Sequence, residues 1–170
     1  MNIIAERLLE WDEQIRAHLM WIWGGEAGFM KRGREGMLVI TDRRLAFISK
    51  TNMTYKIHDV YSRRQRRRFD HDEIVLRPIE DYGINELRAD LDKDPINVNM
   101  EFKKITKIDA EKKRWGTALV IDLVDEEKKK SYKFSVVKSW VKYPAKDPLQ
   151  FQEMDWSQVI SIFENSRYKL

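Results

Sequence analysis

The chain has 170 residues and 32 Lys and Arg against 28 Asp and Glu, a formal charge of +4, with a mass of 20.5 kDa and a sequence pI near 9.2. That length suits one domain with a core large enough to need no disulfide or metal staple, and the lack of cysteine excludes a thiol nucleophile, an iron–sulfur cluster, a Cys-based zinc site and a disulfide scaffold. A composition of 42% hydrophobic and 35% charged residues argues against a disordered tail and against a membrane-spanning chain.

No apolar run approaches the roughly 18 residues of a transmembrane helix. The opening MNIIAERLLEWDE is too acidic for a signal or transit peptide, so the expectation is a cytoplasmic protein, with peripheral association to a membrane as one option. Within that opening, Ile4, Leu8 and Trp11 fall at spacings of four and three, which predicts an amphipathic helix over about 2–12. From Ile15 a period of two fits the chain, although Ile15, Leu19 and Ile22 also fit a continued helix; the wide or β-branched Trp21, Ile22 and Trp23 favour a strand that Gly24 and Gly25 stop. Gly24 to Gly36 then reads as a long turn region.

Met37 to Ile40 and Leu45 to Ile48 are two apolar runs joined by Thr41-Asp42-Arg43-Arg44, a polar tetrapeptide of hairpin length. Thr41 and Asp42 suit hydrogen bonds to nearby backbone in the turn, and Arg44 suits a bridge to a carboxylate or carbonyl across the hairpin. Between Thr51 and Val98 the periodicity is lost, and the stretch reads as a charged insertion. Ile84, Leu87 and Leu91 have helical spacing there and Pro95 closes the segment, so at least one short helix is expected.

Ile105 to Asp109 leads toward a turn, Leu119, Ile121 and Leu123 share one strand face, and Tyr132, Phe134 and Val136 share another, so three antiparallel strands are expected. A second insertion covers about 137–154, with Pro144 and Pro148. The chain then closes on a predicted helix over about 155–166, in which Asp155 and Gln158 resemble a capping box and Trp156, Val159, Ile160 and Phe163 form an apolar face. Trp156 reads as a core plug between helix and sheet.

The stretch GMLVITDRRLAFISK (Gly36 to Lys50) resembles the early hairpin of GRAM and related PH-like domains, whose pattern is G-x-L-x-[LV]-T-[DN]-x-R-L-x-F. ITKID, KRWG, ALVIDLVD, SYKFSV and a terminal helix carrying Asp-Trp follow in the family's order. The resemblance covers Ile15 to Lys50 and Phe102 to Ser166, leaving Thr51 to Val98 and Val137 to Met154 as departures. It implies a single α+β domain over 1–170: a PH-like bent antiparallel sheet or partly open barrel capped by the C-terminal helix. It also implies a binding module whose basic loops, at the open corner of the sheet, meet anionic lipid headgroups in many members and no lipid in others.

Two constellations fit such a role. Phe29 and Met30 precede Lys31, Arg32 and Arg34, a pattern that suits cations meeting surface charge while Phe29 and Met30 enter the interface; a solvated turn is the alternative. Arg63, Arg64, Arg66, Arg67 and Arg68 form the densest charge in the chain, flanked by Tyr61 and Phe69, which suit stacking on bases. Asp70 to Asp94 holds nine acidic residues against Arg77, Arg88 and Lys93, a net −6 that nearly cancels the run's +5, so pairing within one copy or between copies competes with nucleic acid. Lys112-Lys113-Arg114 and Lys128-Lys129-Lys130 read as solvated turns.

Catalysis finds little support. His18, His58 and His71 are scattered without a metalloprotease or hydrolase motif, and Asp70, His71 and Asp72 are too close in sequence to face one metal ion. Gly24-Gly25-Glu26-Ala27-Gly28 lacks the Lys and the βαβ setting of a phosphate cradle. The expectation is a non-catalytic module with no cofactor, engaging anionic lipid or a protein partner; nucleic-acid binding and a homo-oligomeric scaffold are the alternatives.

Overall fold

The computed structural model describes residues 13–28, 32–139 and 150–167. The helix expected at 2–12, the loop residues Phe29 to Lys31 and most of the second insertion (140–149) lie outside them. In chain order the elements are β1 (Ile15–Glu26), β2 (Arg34–Thr41), β3 (Arg44–Ile48), α1 (Tyr55–Asp70), α2 (Ile84–Lys93), β4 (Val98–Glu101) and a 3-10 turn (Phe102–Lys104). β5 (Ile105–Lys113), β6 (Gly116–Asp125), β7 (Lys128–Ser139), β8 (Gln150–Phe151) and α3 (Ser157–Arg167) follow. The strands form one antiparallel sheet in the order β4-β3-β2-β1-β7-β6-β5, with β8 on β7. β4 and β5 are its outer strands and do not pair, so this mixed α+β fold carries an open sheet.

The sheet is strongly bent. β3 and β7 are separated by β2 and β1, which would hold them about 14 Å apart in a flat sheet, yet the rings of Phe47 and Phe134 lie 4.9 Å apart. The bend brings Leu19, Leu38 and Leu45 of one half against Leu119 and Ile121 of the other in a single inner core. Trp156, just ahead of α3, and Val159 and Phe163 on the helix plug it: Trp156 is 1% exposed, and Phe163 meets Phe102 edge-on at 5.3 Å. Asp155 accepts from the Ser157 N–H at 3.0 Å, so the cap acts through Asp155 and the helix begins two residues later than expected.

β1 joins the two halves, pairing with β2 from Ile15 to Gly24 and with β7 from Ile22 to Glu26. The two glycines do not stop it. A Cβ on Gly24 would lie 2.1 Å from the Lys133 carbonyl oxygen, so glycine is what lets β7 approach there. Midway, Met20 and Trp21 stand opposite the single residue Met37, a bulge with Trp21 at φ +53. The backbone that the bulge takes out of the ladder is satisfied from the insertion: Gln65 of α1 accepts from the Met20 N–H at 2.7 Å and donates to its carbonyl at 2.9 Å.

The insertion holds two helices, and they cover the outer face of the β1–β3 half. Met20, Met37, Val39, Ala46 and Ile48 point outward into a second core with Ile79, Tyr82 and Leu87. Both faces of this half-sheet are therefore buried, which is why Met37 to Ile40 and Leu45 to Ile48 are continuous apolar runs and do not alternate. The edge of β1 opposite β2, before the stretch that pairs with β7, is met by the returning chain: the His18 N–H donates to the Arg77 carbonyl at 3.0 Å.

The hairpin turn performs the structural work its chemistry suggests. Thr41 Oγ1 accepts from the N–H groups of Arg43 and Arg44 at 3.0 and 2.9 Å, and donates to buried Glu13 at 2.6 Å. Arg44 forks onto the same carboxylate, Nε to Oε2 at 2.8 Å and Nη2 to Oε1 at 2.9 Å. Asp42 and Gln14 exchange backbone and side-chain hydrogen bonds at 3.1 Å, tying the entry to β1 onto the turn.

Two expected turns are narrower than anticipated. β5 continues to Lys113, so Lys112 and Lys113 lie on a strand and the turn is Arg114-Trp115. Lys128, Lys129 and Lys130 open β7, because the β6–β7 reversal needs only Glu126 and Glu127, both in the left-handed region at φ 48 and 67.

Candidate functional site

At the open end of the bent sheet, the end of β1, the start of β2, the end of β3 and the start of β7 enclose a groove of about 700 Å³. Strand register gathers them there: Gly24 pairs with Arg34, Glu26 with Tyr132 and Phe47 with Val98. A Cβ on Gly36 would lie 2.7 Å from the Phe47 ring, so glycine leaves room for that ring, which lines the groove. Val98, Pro95 and Ile96 form the apolar wall, and Arg32, Arg34 and Lys130 the cationic one.

Arg32 and Arg34 are exposed, and neither carries an ion pair among the described residues. Glu26 is the carboxylate at the mouth. Tyr132 is almost fully buried, and burial, with Glu26 and Asp125 nearby, pushes its hydroxyl above the usual phenol range, so it presents a neutral O–H. Three cations against one carboxylate make the groove attractive to an anion carrying more than one charge. Of the loop residues expected to meet lipid, Arg32 and Arg34 come together here, with Lys130 from the other half of the sheet; Phe29 and Lys31 lie outside the described residues.

Arg63, Arg64, Arg66, Arg67 and Arg68 are on α1, whose Ser62 and Gln65 are buried against the sheet. The acids of Asp70 to Asp94 do not neutralise them, as pairing within the copy would require. Those acids have other tasks: Asp81 accepts from the Tyr61 hydroxyl at 2.7 Å, Glu86 from the Gly83 N–H at 2.9 Å and Asp90 from the Tyr82 hydroxyl at 2.7 Å. Arg63 instead meets Asp59 one turn earlier at 3.0 Å, and Arg66 donates to the Lys138 carbonyl at 2.9 Å. Base stacking by the flanking aromatics is also withdrawn, since Tyr61 is bound to Asp81 and lies under Arg64, and Phe69 packs on the inner core.

No family model matches this chain, and no curated protein does either.

No helix among the described residues is long and apolar enough to cross a membrane. Nor does any group of three His, Asp or Glu among them stand where it could hold a metal ion. His18 is buried and accepts from the Ile79 N–H at Nδ1, 2.9 Å away. Burial lowers its pKa to about 4, against a small upward pull from the Tyr82 backbone, so it stays neutral. His58 is likewise pushed down by burial, opposed by Asp59. His71 is exposed at the end of α1.

In the sequence Lys130 reads only as a solvated turn residue and Tyr132 only as a strand residue, and Gln65 and Glu13 are given no role. Gln65 carried a signal: Tyr61, Ser62, Gln65 and Phe69, the positions in and around the arginine run that are not arginine, fall at one-, three- and four-residue spacings on one helical face. Lys130 and Tyr132 carried none, because their partners in the groove come from strands far away in the chain.

Proposed function

We propose that the chain is a non-catalytic, PH/GRAM-like binding module that engages phosphate-bearing anionic headgroups in the groove at the open end of its sheet. The observation that carries this reading is the convergence of Arg32, Arg34 and Lys130 on one open groove. The strand order, the bend, the hairpin built on Thr41 and Arg44, and the C-terminal helix corking the core support the PH-like assignment. Arg32 and Arg34 bring bidentate forks suited to phosphate oxygens, and Lys130 a point charge. Each basic group close to an anionic surface contributes about 1 kcal/mol, so three supply about 3, against roughly 8 for micromolar affinity. Contacts of the bound headgroup with the groove walls must add the rest. Nucleic-acid and homo-oligomeric readings rest on Arg63 to Arg68, whose aromatic neighbours are already engaged within the fold.

Co-sedimentation with phosphatidylcholine vesicles, with and without phosphatidylserine and a phosphoinositide, tests the proposal. Binding confined to the anionic vesicles and lost in Arg32→Gln/Arg34→Gln/Lys130→Gln is expected. Equal, negligible binding to both kinds of vesicle, or anionic binding indifferent to the triple substitution, overturns it.

A further inference from the structure

Another groove, of about 410 Å³, runs between the insertion and the start of α3, and it shares no lining residue with the groove at the open end. Its two banks are built separately and each is pinned. On one, α1 ends at Asp70, the chain reverses at Asp72 with φ 51, and the Glu73 N–H donates to the Arg68 carbonyl at 2.9 Å. Ile74, Val75 and Leu76 then lead, without helix or turn, into the bridge that Arg77 makes with His18. On the other bank, Thr117 Oγ1 accepts from the Met154 N–H at 2.9 Å and donates to the Met154 carbonyl at 2.7 Å, and Asp155 caps α3.

The floor is apolar and the rim acidic. Phe69, Val75, Leu76 and Met154 line the groove and pack on the inner core, and Ile74 stands beside them 59% exposed. Asp72, Glu73, Glu153 and Asp155 carry the rim against the single cation Arg68, a net −3 on a chain of +4. All four acids are exposed, and none forms an ion pair among the described residues. The N–H and C=O groups of Ile74, Val75 and Leu76 likewise make no hydrogen bond among the described residues. Three successive residues with a free main chain offer an edge to which an extended segment can add.

A rim of this sign repels lipid headgroups and nucleic acid and attracts cations, while the apolar floor and the free backbone ask for more than a charge. We propose that the groove docks an extended basic peptide segment of a partner protein, which adds as a short strand beside Ile74 to Leu76. Lysines or arginines of the segment meet the four carboxylates, and an apolar side chain between them lies over Phe69 and Met154. Arg68 is the one group on the rim that opposes the partner, so its removal tightens the complex. This docking is independent of whatever the open-end groove binds.

The full-length chain, its Asp72→Asn/Glu153→Gln variant and its Arg68→Gln variant are titrated at low salt, by fluorescence anisotropy, with a labelled hexapeptide of alternating lysine and valine. Two further probes are its glutamate–valine counterpart and a copy with every peptide nitrogen methylated, which keeps the charges but cannot donate to a strand edge. Asp72 and Glu153 are exposed, and circular dichroism checks the fold of each variant. The lysine peptide is expected to bind and the glutamate peptide not to. Affinity for the lysine peptide should fall about fivefold in Asp72→Asn/Glu153→Gln and rise about twofold in Arg68→Gln, and the methylated copy should bind about fivefold more weakly to the parent. The proposal is overturned by absence of binding, by affinity that Asp72→Asn/Glu153→Gln leaves unchanged, or by equal binding of the methylated copy. Self-association in light scattering that the same variant abolishes, with no peptide bound, also overturns it and assigns the groove to a second copy of the chain.

Discussion

Gln65→Ala is the sharpest test of how the insertion is held to the sheet. The substitution removes the acceptor that lies 2.7 Å from the Met20 N–H and the donor that lies 2.9 Å from its carbonyl. Met20 is 1% exposed, so neither group can turn to solvent. A buried polar group left without a partner costs about 1–3 kcal/mol. Two such groups, partly relieved by water entering the space left by the side chain, make a loss of about 3 kcal/mol. For a chain of this size that is a fall in Tm of roughly 6–12 °C. Arg67→Ala, two residues along on the exposed face of the same helix, is the control and is expected to stay within about 0.5 kcal/mol of the parent. Gln65→Glu keeps an oxygen for the N–H but turns a lone pair toward the Met20 carbonyl, so it costs at least as much as alanine. Urea unfolding gives the energies, and hydrogen exchange at the Met20 amide reports the local opening. The reasoning fails if Gln65→Ala lies within about 0.5 kcal/mol of the parent, or if it destabilises while the Met20 amide stays fully protected.

Glu13→Ala strands the Arg44 fork and the Thr41 hydroxyl; because the Arg44 side chain keeps 16% exposure, the expected cost is about 2–3 kcal/mol by chemical denaturation, below the usual range for a fully buried pair. A double cycle with Arg44→Ala should show strong coupling, and additivity would contradict the network. His18 is held near pKa 4 in the fold against 6.5 when unfolded, so the unfolded state binds the extra proton. Stability from this group is complete above pH 6.5 and is lost as pH falls toward 4, by about 3 kcal/mol in all, with His58 adding in the same direction. Unfolding free energies at pH 7 and pH 5 that agree within error in a Glu35→Gln background would refute this, since the lowered carboxylates Glu111, Asp125 and Asp155 titrate below that window and Glu35, whose carboxyl burial pushes up, acts with the opposite sign. Glu127→Gly relieves a left-handed residue at the β6–β7 reversal and should raise stability by about 1 kcal/mol, seen as a higher midpoint in urea. Trp156→Ala opens the inner core under α3 and should cost about 3–5 kcal/mol; a loss under 1 would mean the helix does not cork the sheet.

Local chemistry made the hairpin legible. Thr41 and Arg44 announce their turn because the groups they bond lie within a few residues or on the chain entering β1. The strands β6 and β7 were legible because each has one face toward the core and a period of two survives. Legibility failed where a residue answers to a distant element. Gly24 looks like a terminator until Lys133 is beside it, and the arginine run looks like an open patch until Gln65 is seen holding a bulge. The groove was half visible: Arg32 and Arg34 stood out by density of charge, whereas Lys130 joins them through the pairing of β1 with β7. The continuous apolar runs of β2 and β3 did contain the notice that a second layer would cover them.

β1 is built from two stretches with different histories during synthesis. Its first half finds β2 and β3 almost at once, and α1 can seal their outer surface soon after. Its second half waits with one side open until β7 leaves the ribosome, far downstream. The nascent protein should therefore mature as a finished half-shell trailing an unfilled seam, and the hinge between the two stages is the kink at Met20 and Trp21. Lesions at that kink are expected to act on yield and aggregation during expression more than on any ligand, because they disturb the frame on which the late strands close.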